Sequence, residues 1–149
     1  MKIEITGDDA ITHALQRLRD VAGSGGSSMM LEISETLRAE TMKNFDAQGR
    51  PDTWTPLAES TLKRRPDRRG GKILQDKQGG LLSSITADFG ADYAEVRTNK
   101  VYGRIHQFGG KAGRNHAATI PARPYFVVTD EGWDEIMLSI SRRVDEAIG

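Results

Sequence analysis

Two short blocks in the second half of the chain restrict the backbone more than any other part of the sequence. The first, residues 105–110, reads IHQFGG, and the second, residues 120–126, reads IPARPYF. A glycine pair permits positive φ, where a side chain would clash, and each proline fixes its own φ and favours extended backbone in the residue before it. The first block therefore predicts a tight turn, the polar residues between the blocks a loop, and the second block a stiff arm.

The size of the chain predicts a single domain. Its 149 residues can bury about two-thirds of the surface that the unfolded form exposes. Only 37% of the residues are apolar and 6% aromatic, while 16 are glycine, which indicates a small core with long loops. We expect flexible loops near residues 23–28, 63–72 and 110–119. A protein of this composition is expected to complete its burial in an assembly.

Charge and residue usage exclude several classes of protein. Lys plus Arg equal Asp plus Glu at 21 each, so no net charge attracts the whole chain to nucleic acid or to a membrane surface. The absence of cysteine excludes disulfides and thiol catalysis. No apolar run approaches the length of a membrane span, and residues 1–5 are too polar for a signal peptide. We expect a protein that is made soluble and stays in the cytoplasm unless it leaves inside a larger particle, without a membrane partner.

Apolar residues recur at helical spacing in three long segments and alternate in short segments between them. Helices in both halves with strands between them predict an α+β domain, in which a small antiparallel sheet packs with two long helices of the N-terminal half and a C-terminal helix. The predicted elements are a strand over 3–5, helices over 9–22, 28–46 and 56–62, a hairpin from 84–89 and 93–98, a helical turn over 101–108, a strand at 127–128 and a final helix capped by Asp130.

The same patterns predict which side chains are buried. An apolar stripe of the final helix is expected to face the core, as are three aromatic residues outside the helices. The acids of the second long helix alternate with basic residues, which is typical of a solvated face. The stripe is Trp133, Met137, Ile140, Val144 and Ile148, the aromatic residues are Trp54, Phe108 and Phe126, and the acids are Glu32, Glu35 and Glu40.

The sequence contains no motif of a known catalytic or metal site. Its three histidines, His13, His106 and His116, show neither a His-x-x-x-His pair nor a zinc motif. No serine lies in a Gly-x-Ser-x-Gly elbow, and residues 23–28 lack the lysine of a phosphate-binding loop. The sequence therefore predicts that the protein is not an enzyme, with no metal, no cofactor and no small-molecule substrate.

Several short motifs follow one another in a specific order from about residue 28 to the end. They are Asn44-Phe45, Trp54-Thr55-Pro56-Leu57, Ser60-Thr61-Leu62-Lys63, Ile73-Leu74, Gly80-Leu81-Leu82 with Ile85, Tyr102, and the blocks at 105–109 and 120–126. In this order and spacing they resemble the phage virion morphogenesis family, the tail-completion type of protein found in Mu-like and P2-like tailed bacteriophages.

The resemblance implies a structural protein of the head–tail junction in the virion, assembled in the bacterial host cytoplasm. It would complete or terminate the tail and join it to the head as a ring, a hexamer by analogy with the family. The implied partners are further copies of the chain and the neighbouring neck, connector and tail-tube proteins. One alternative is a head-side connector or capsid assembly factor, and another is a DNA-binding accessory protein that uses residues 63–72.

The two rigid blocks are the predicted contact region with a neighbouring subunit or ring. Arg123 has two alternative partners: an acid of the final helix, Glu131 or Glu135, or a carboxylate of the next subunit that it grips bidentately. His106 is expected to orient the glycine turn by hydrogen bonding. The residues predicted for the interface are Arg123, Pro121, Pro124, Tyr125, His106, Gly109 and Gly110.

A basic run over residues 63–72 is the strongest local charge. It is either a solvated mobile loop, a contact with an acidic partner surface, or a contact with the phosphates of DNA that passes through the neck, without base specificity. The run contains no aromatic residue, which argues against base stacking. Its basic residues are Lys63, Arg64, Arg65, Arg68, Arg69 and Lys72.

Overall fold

The computed structural model describes most of the chain. The strand predicted over residues 3–5 lies outside the described residues, and so does most of the helix predicted over 9–22. The described residues are 26–75, 80–148 and the isolated positions 13, 16 and 20.

Helices and two short antiparallel hairpins make up the described part, so the predicted α+β class is confirmed. The helices with described bounds are α1 (Gly26–Asp46), α2 (Glu59–Arg64), α3 (Gly103–Phe108) and α4 (Asp130–Ile148). The strands are β1 (Thr86–Phe89), β2 (Ala94–Arg97), β3 (Gly110–Ala112) and β4 (Ala118–Ile120).

The long helix α1 is the centre of the fold, and it packs against the β1–β2 hairpin and against α4. It begins at Gly26, so the last part of the flexible break predicted over residues 23–28 is helical instead. Gly26 is buried, and tertiary packing outweighs the low helix propensity of glycine and serine in this first turn.

The predicted hairpin over residues 84–98 is confirmed. In β1 and β2, Thr86 lies opposite Arg97 and Phe89 lies opposite Ala94. The second hairpin was not predicted, because the residues of β3 and β4 fall in the segment that reads as a polar loop. There, Gly110 pairs with Ile120 across the two strands.

A small aromatic and aliphatic core lies between α1 and the segments that cross it. Phe45 of α1 contacts the ring of Trp54 edge-on and the ring of Tyr125, each at a centroid distance of 5.5 Å. Leu81 and Ile85 complete the buried cluster. The prediction that Trp54 belongs to the core is therefore confirmed.

A buried carboxylate joins α1 to the start of α4, and the prediction that Glu40 is solvated is wrong. Glu40 is 1% exposed, and its carboxylate accepts hydrogen bonds from Arg50 Nη2 at 3.0 Å, Lys43 Nζ at 3.0 Å and Thr129 Oγ1 at 2.6 Å. Burial by itself raises the pKa of Glu40, but these hydrogen bonds and the Arg50 charge outweigh it and lower the pKa to about 2. The acid is therefore ionised and fully partnered inside the fold.

The final helix buries a different face from the one predicted. Gly132 and Ile136 lie against the core, whereas Trp133 and Met137 remain 53% and 56% exposed. The cause is the anchoring of α4 at both ends. At the start of α4, Gly132 fits against Glu40. Near its end, Arg142 and Arg143 form salt bridges with Glu32 of α1, at 2.6 and 2.7 Å.

Candidate functional site

The stiff arm of the second block is held inside the subunit by α1 and its following loop. Asn44 Nδ2 donates to the carbonyls of Tyr125 and Val127 at 2.8 and 2.7 Å, and Trp54 Nε1 donates to the Pro124 carbonyl at 2.9 Å. These carbonyls accept hydrogen bonds from side chains and not from a neighbouring strand. Residues 121–129 therefore form no strand, and the strand predicted at 127–128 is wrong.

The two rigid blocks bind each other. Gln107 Oε1 accepts hydrogen bonds from the backbone amides of Tyr125 and Phe126, both at 3.0 Å. The His106 carbonyl accepts one from the Arg123 amide at 2.7 Å. Tyr125 is 1% exposed. The arm therefore serves the packing of the subunit, and this geometry gives no support to a partner contact through Tyr125.

The Arg123 guanidinium acts as an internal clamp. Arg123 is 4% exposed, and it donates from Nε to the Thr55 carbonyl at 2.8 Å and from Nη2 to the Pro56 carbonyl at 3.0 Å. Burial lowers its pKa. No acid among the described residues pairs with it, so the predicted ion pair with Glu131 or Glu135 is not formed. Its burial also leaves the alternative, a carboxylate of the next subunit, without structural support.

The same clamp explains where α2 begins. Arg123 takes the carbonyls of Thr55 and Pro56, which would otherwise accept the first hydrogen bonds of the helix predicted over residues 56–62. Ala58 is extended, with φ −63° and ψ 144°, and the helix starts only at the next residue. A long-range side chain therefore overrides the local signal of proline at a first helical turn.

Gly109 makes the predicted tight turn against the arm. Its φ is 71°, and a β-carbon there would lie 2.8 Å from the Ala122 amide nitrogen and 3.0 Å from the Ile120 carbonyl oxygen. Gly110 follows with φ 150° and opens β3. The turn and the arm fit together only because position 109 carries no side chain.

His106 packs through its ring rather than orienting the turn by a hydrogen bond from Nδ1. That nitrogen is buried and has no hydrogen-bond partner among the described residues. Burial and the Arg123 charge lower the pKa of His106, so the imidazole is neutral near neutral pH. Its ring lies edge-on to Tyr102 at a centroid distance of 5.9 Å.

The basic run is more structured than the predicted mobile loop. A 3-10 turn spans Pro66–Arg68 within it. Arg65 lies 4.0 Å from Asp67, Arg69 binds Glu59 at 3.1 Å and Lys72 binds Asp46 at 3.2 Å, so three of its charges are paired within the subunit.

The remaining basic residues of the run differ in exposure. Lys63, Arg64 and Arg65 are exposed at the end of α2. Arg68 is half-buried, donates to the Gln75 carbonyl and lines a hollow of about 390 Å³. Lys63 and Arg64 are therefore the exposed basic residues of the run that form no ion pair with a described residue.

An exposed apolar surface with basic residues around it lies on α3. Val101 is 96% exposed and Phe108 is 72% exposed, so the prediction that Phe108 belongs to the core is wrong. Both line two neighbouring hollows of about 650 and 400 Å³. We call this region the α3 surface; its residues are Lys100, Val101, Arg104, Phe108 and Lys111. The spacing of Val101, Arg104 and Phe108 at i, i+3 and i+7 is the sequence signal that could have found it.

An exposed apolar surface with acidic residues lies on α4. Trp133, Met137 and Leu138 are 53%, 56% and 68% exposed. Asp130 and Asp134 share this outward side, because residues at i, i+3, i+4, i+7 and i+8 line one face of a helix. We call Asp130, Trp133, Asp134, Met137 and Leu138 the α4 surface.

Among the described residues, no group of three or more His, Asp or Glu side chains is placed to hold a metal ion. In the same part of the chain, no helix combines the length and apolarity needed to cross a membrane.

Comparison with known proteins confirms the resemblance. The profile of the phage virion morphogenesis family matches residues 7–145. Mu-like prophage FluMu G protein 2 of Haemophilus influenzae is 36% identical over 140 residues, which cover 94% of this chain and 93% of that protein. The putative capsid assembly protein G of Escherichia phage Mu is 37% identical over 122 residues, 78% of each chain. No solved structure gives a significant match. The chain therefore belongs to the phage virion morphogenesis family.

Proposed function

We propose that the protein is a structural component of the phage head–tail junction, where it completes or terminates the tail and joins it to the head as a closed ring of identical subunits. Membership of the virion morphogenesis family supports a role in particle assembly. The observation that carries the proposal is the presence of two separate exposed apolar surfaces, on α3 and on α4, in a chain with a small core.

Two surfaces on one subunit suit a ring because every ring subunit contacts two neighbours. Monomeric proteins rarely expose large contiguous apolar patches, and those that occur mark contacts with other proteins. The exposed aromatic groups Phe108 and Trp133 belong to the residue types that contribute most to protein interfaces. We expect the isolated protein to be monomeric or weakly associated until it meets a neighbouring ring, whose contacts offset the cost of ordering.

Substitution of the α3 surface in the encoding phage tests this role. Val101→Ser with Phe108→Ser removes exposed apolar area and touches no core residue, so the subunit is expected to fold. We expect electron micrographs of lysates to show complete heads and unjoined or irregular tails. The control is Asp92→Asn, in the exposed turn between β1 and β2, which belongs to neither surface. Normal infectious yield from the double variant would contradict the proposal.

A capsid assembly factor is the second candidate, favoured by the name of the phage Mu relative, putative capsid assembly protein G. The location of the protein separates the two candidates. Tails purified from a mutant that makes no heads contain the protein if it completes the tail. Its presence only in head intermediates would favour the capsid role.

DNA contact through the basic run is a separate hypothesis, supported by the exposed residues Lys63, Arg64 and Arg65. It predicts binding to duplex DNA at low salt that weakens steeply as salt rises. Replacement of the six basic residues of 63–72 by glutamine should then abolish binding. If the protein does not bind DNA at low salt, the hypothesis fails, and residues 63–72 would instead dock another protein or line the lumen of the ring.

A further inference from the structure

We infer that the α3 surface of one subunit binds the α4 surface of a second copy of the same chain, head to tail around the ring. This inference rests on the proposed ring function and names the contact that closes it. Opposite charge, exposed apolar groups and separate positions on the subunit support this contact.

The two surfaces carry opposite charges that form no ion pair within the described part of the subunit. Lys100, Arg104 and Lys111 form no ion pair with any described residue, and neither do Asp130 and Asp134. Nine other described acids are paired within the subunit. Those acids are Glu32, Glu35, Glu40, Asp46, Glu59, Asp67, Asp88, Glu95 and Glu146. Complementary unpaired charges fix the register and partner of an interface.

Both surfaces also expose apolar groups. On the α3 surface, Val101 and Phe108 are exposed beside open hollows of about 650 and 400 Å³. The α4 surface is convex, because it is the outer side of a long helix that carries the exposed indole of Trp133. An aromatic anchor that enters a pocket ringed by charged residues is the usual centre of a stable interface.

The contact between the two surfaces is heterologous in the proposed ring. A two-fold dimer would instead join α3 to α4 twice, and cross-linking would then give a dimer without a ladder. A heterologous contact propagates from subunit to subunit and closes into a ring when the rotation allows it.

Charge reversal tests the contact because a mixture of variants should restore it. Lys100→Glu with Arg104→Glu makes the α3 surface acidic, and Asp130→Lys with Asp134→Lys makes the α4 surface basic. Each double variant alone faces like charge at every junction and should lower infectious yield by at least about tenfold, since like-charge contacts cost several kcal/mol. Co-expression of both double variants should restore the yield, because subunits of the two kinds can alternate.

The absence of native cysteine allows a direct second test. A chain with Arg104→Cys and Asp134→Cys should give a ladder of covalent oligomers when assembled particles are treated with a short bismaleimide. Each single cysteine should give no ladder, and Arg104→Cys with Asp92→Cys serves as the control pair. Infectious particles that yield no ladder would overturn the inference.

The outcomes separate this inference from the proposed function. If both charge reversals block joining but co-expression fails to rescue it, the surfaces bind other neck proteins, and the inference fails while the junction role stands. If neither reversal changes the yield, the inference also fails. Because Asp130 lies in the first turn of α4, lysine at this position also weakens the helix, and the melting temperature of the Asp130→Lys, Asp134→Lys protein is expected to fall by a few degrees. Rescue by co-expression separates the contact from this folding effect, because a folding defect alone would not be rescued.

Discussion

Gly132 lies so close to Glu40 that a β-carbon at position 132 would be 2.7 Å from Glu40 Cγ and 2.9 Å from Oε2. This fit fixes the first turn of α4 on α1. It also determines the rotation of α4, so Ile136 enters the core while Trp133 points outward. The buried carboxylate thus decides which face of α4 is available for assembly.

Gly132→Ala should destabilise the protein although alanine is the better helix former. The clash with Glu40 is an overpacking cost of about 1–3 kcal/mol, which exceeds the gain of about 1 kcal/mol in helix propensity. Urea unfolding measures the difference. Ser141→Ala, on the exposed side of the same helix, should change the free energy of unfolding by less than about 0.5 kcal/mol. A Gly132→Ala protein more stable than wild type would disprove the fit.

Acid should destabilise the protein through Glu40. Its pKa is about 2 in the folded chain and 4.5 in the unfolded reference, so the unfolded chain binds more protons between these values. The stabilisation, roughly 3 kcal/mol, is present above about pH 4.5 and is lost as the pH falls towards 2. Glu40→Gln should be less stable at pH 7 and should lose this part of the pH dependence. Parallel pH profiles of the two proteins would contradict the assignment.

Arg123→Ala should lower the free energy of unfolding by about 2–4 kcal/mol, because it removes two charge-assisted hydrogen bonds made by an almost fully buried side chain to the carbonyls of Thr55 and Pro56. Arg114→Ala, at an exposed arginine that belongs to neither surface, should leave stability unchanged. Thermal unfolding and particle yield are measured together. If Arg123→Ala kept full stability but blocked head–tail joining, the partner contact expected from the sequence would regain support.

Gly109→Ala should cost more than Gly70→Ala. Both glycines have φ close to +70°, where alanine is strained, and at Gly109 the ψ of 178° adds to the strain because this region is open essentially to glycine alone. Only at position 109 would the new β-carbon meet the backbone of Ala122, whereas nothing lies within 4 Å at position 70. We expect an additional loss of about 1–3 kcal/mol for Gly109→Ala. Equal losses in urea unfolding would show that the arm does not approach the turn this closely.

Local patterns predicted the elements that are stabilised locally. Apolar spacing predicted α1 and α4, and two-residue alternation predicted the β1–β2 hairpin, because side-chain periodicity follows directly from helix and strand geometry. The β3–β4 hairpin escaped prediction because its strands are only three residues long and rich in small and polar residues. Periodicity also revealed an apolar stripe on α4 without revealing which neighbour, within or outside the subunit, would cover it.

The sequence by itself determined the family, the α+β class and the need for glycine at the turn, because motif order, periodicity and backbone freedom are properties of the chain. Only the tertiary structure decided the partners of Arg123 and Glu40 and the exposure of Phe108 and Trp133. Those outcomes depend on which distant groups meet: Arg123 finds the carbonyls of Thr55 and Pro56, and Glu40 finds Arg50 and Thr129. A charged or apolar residue has many suitable partners, and packing selects among them.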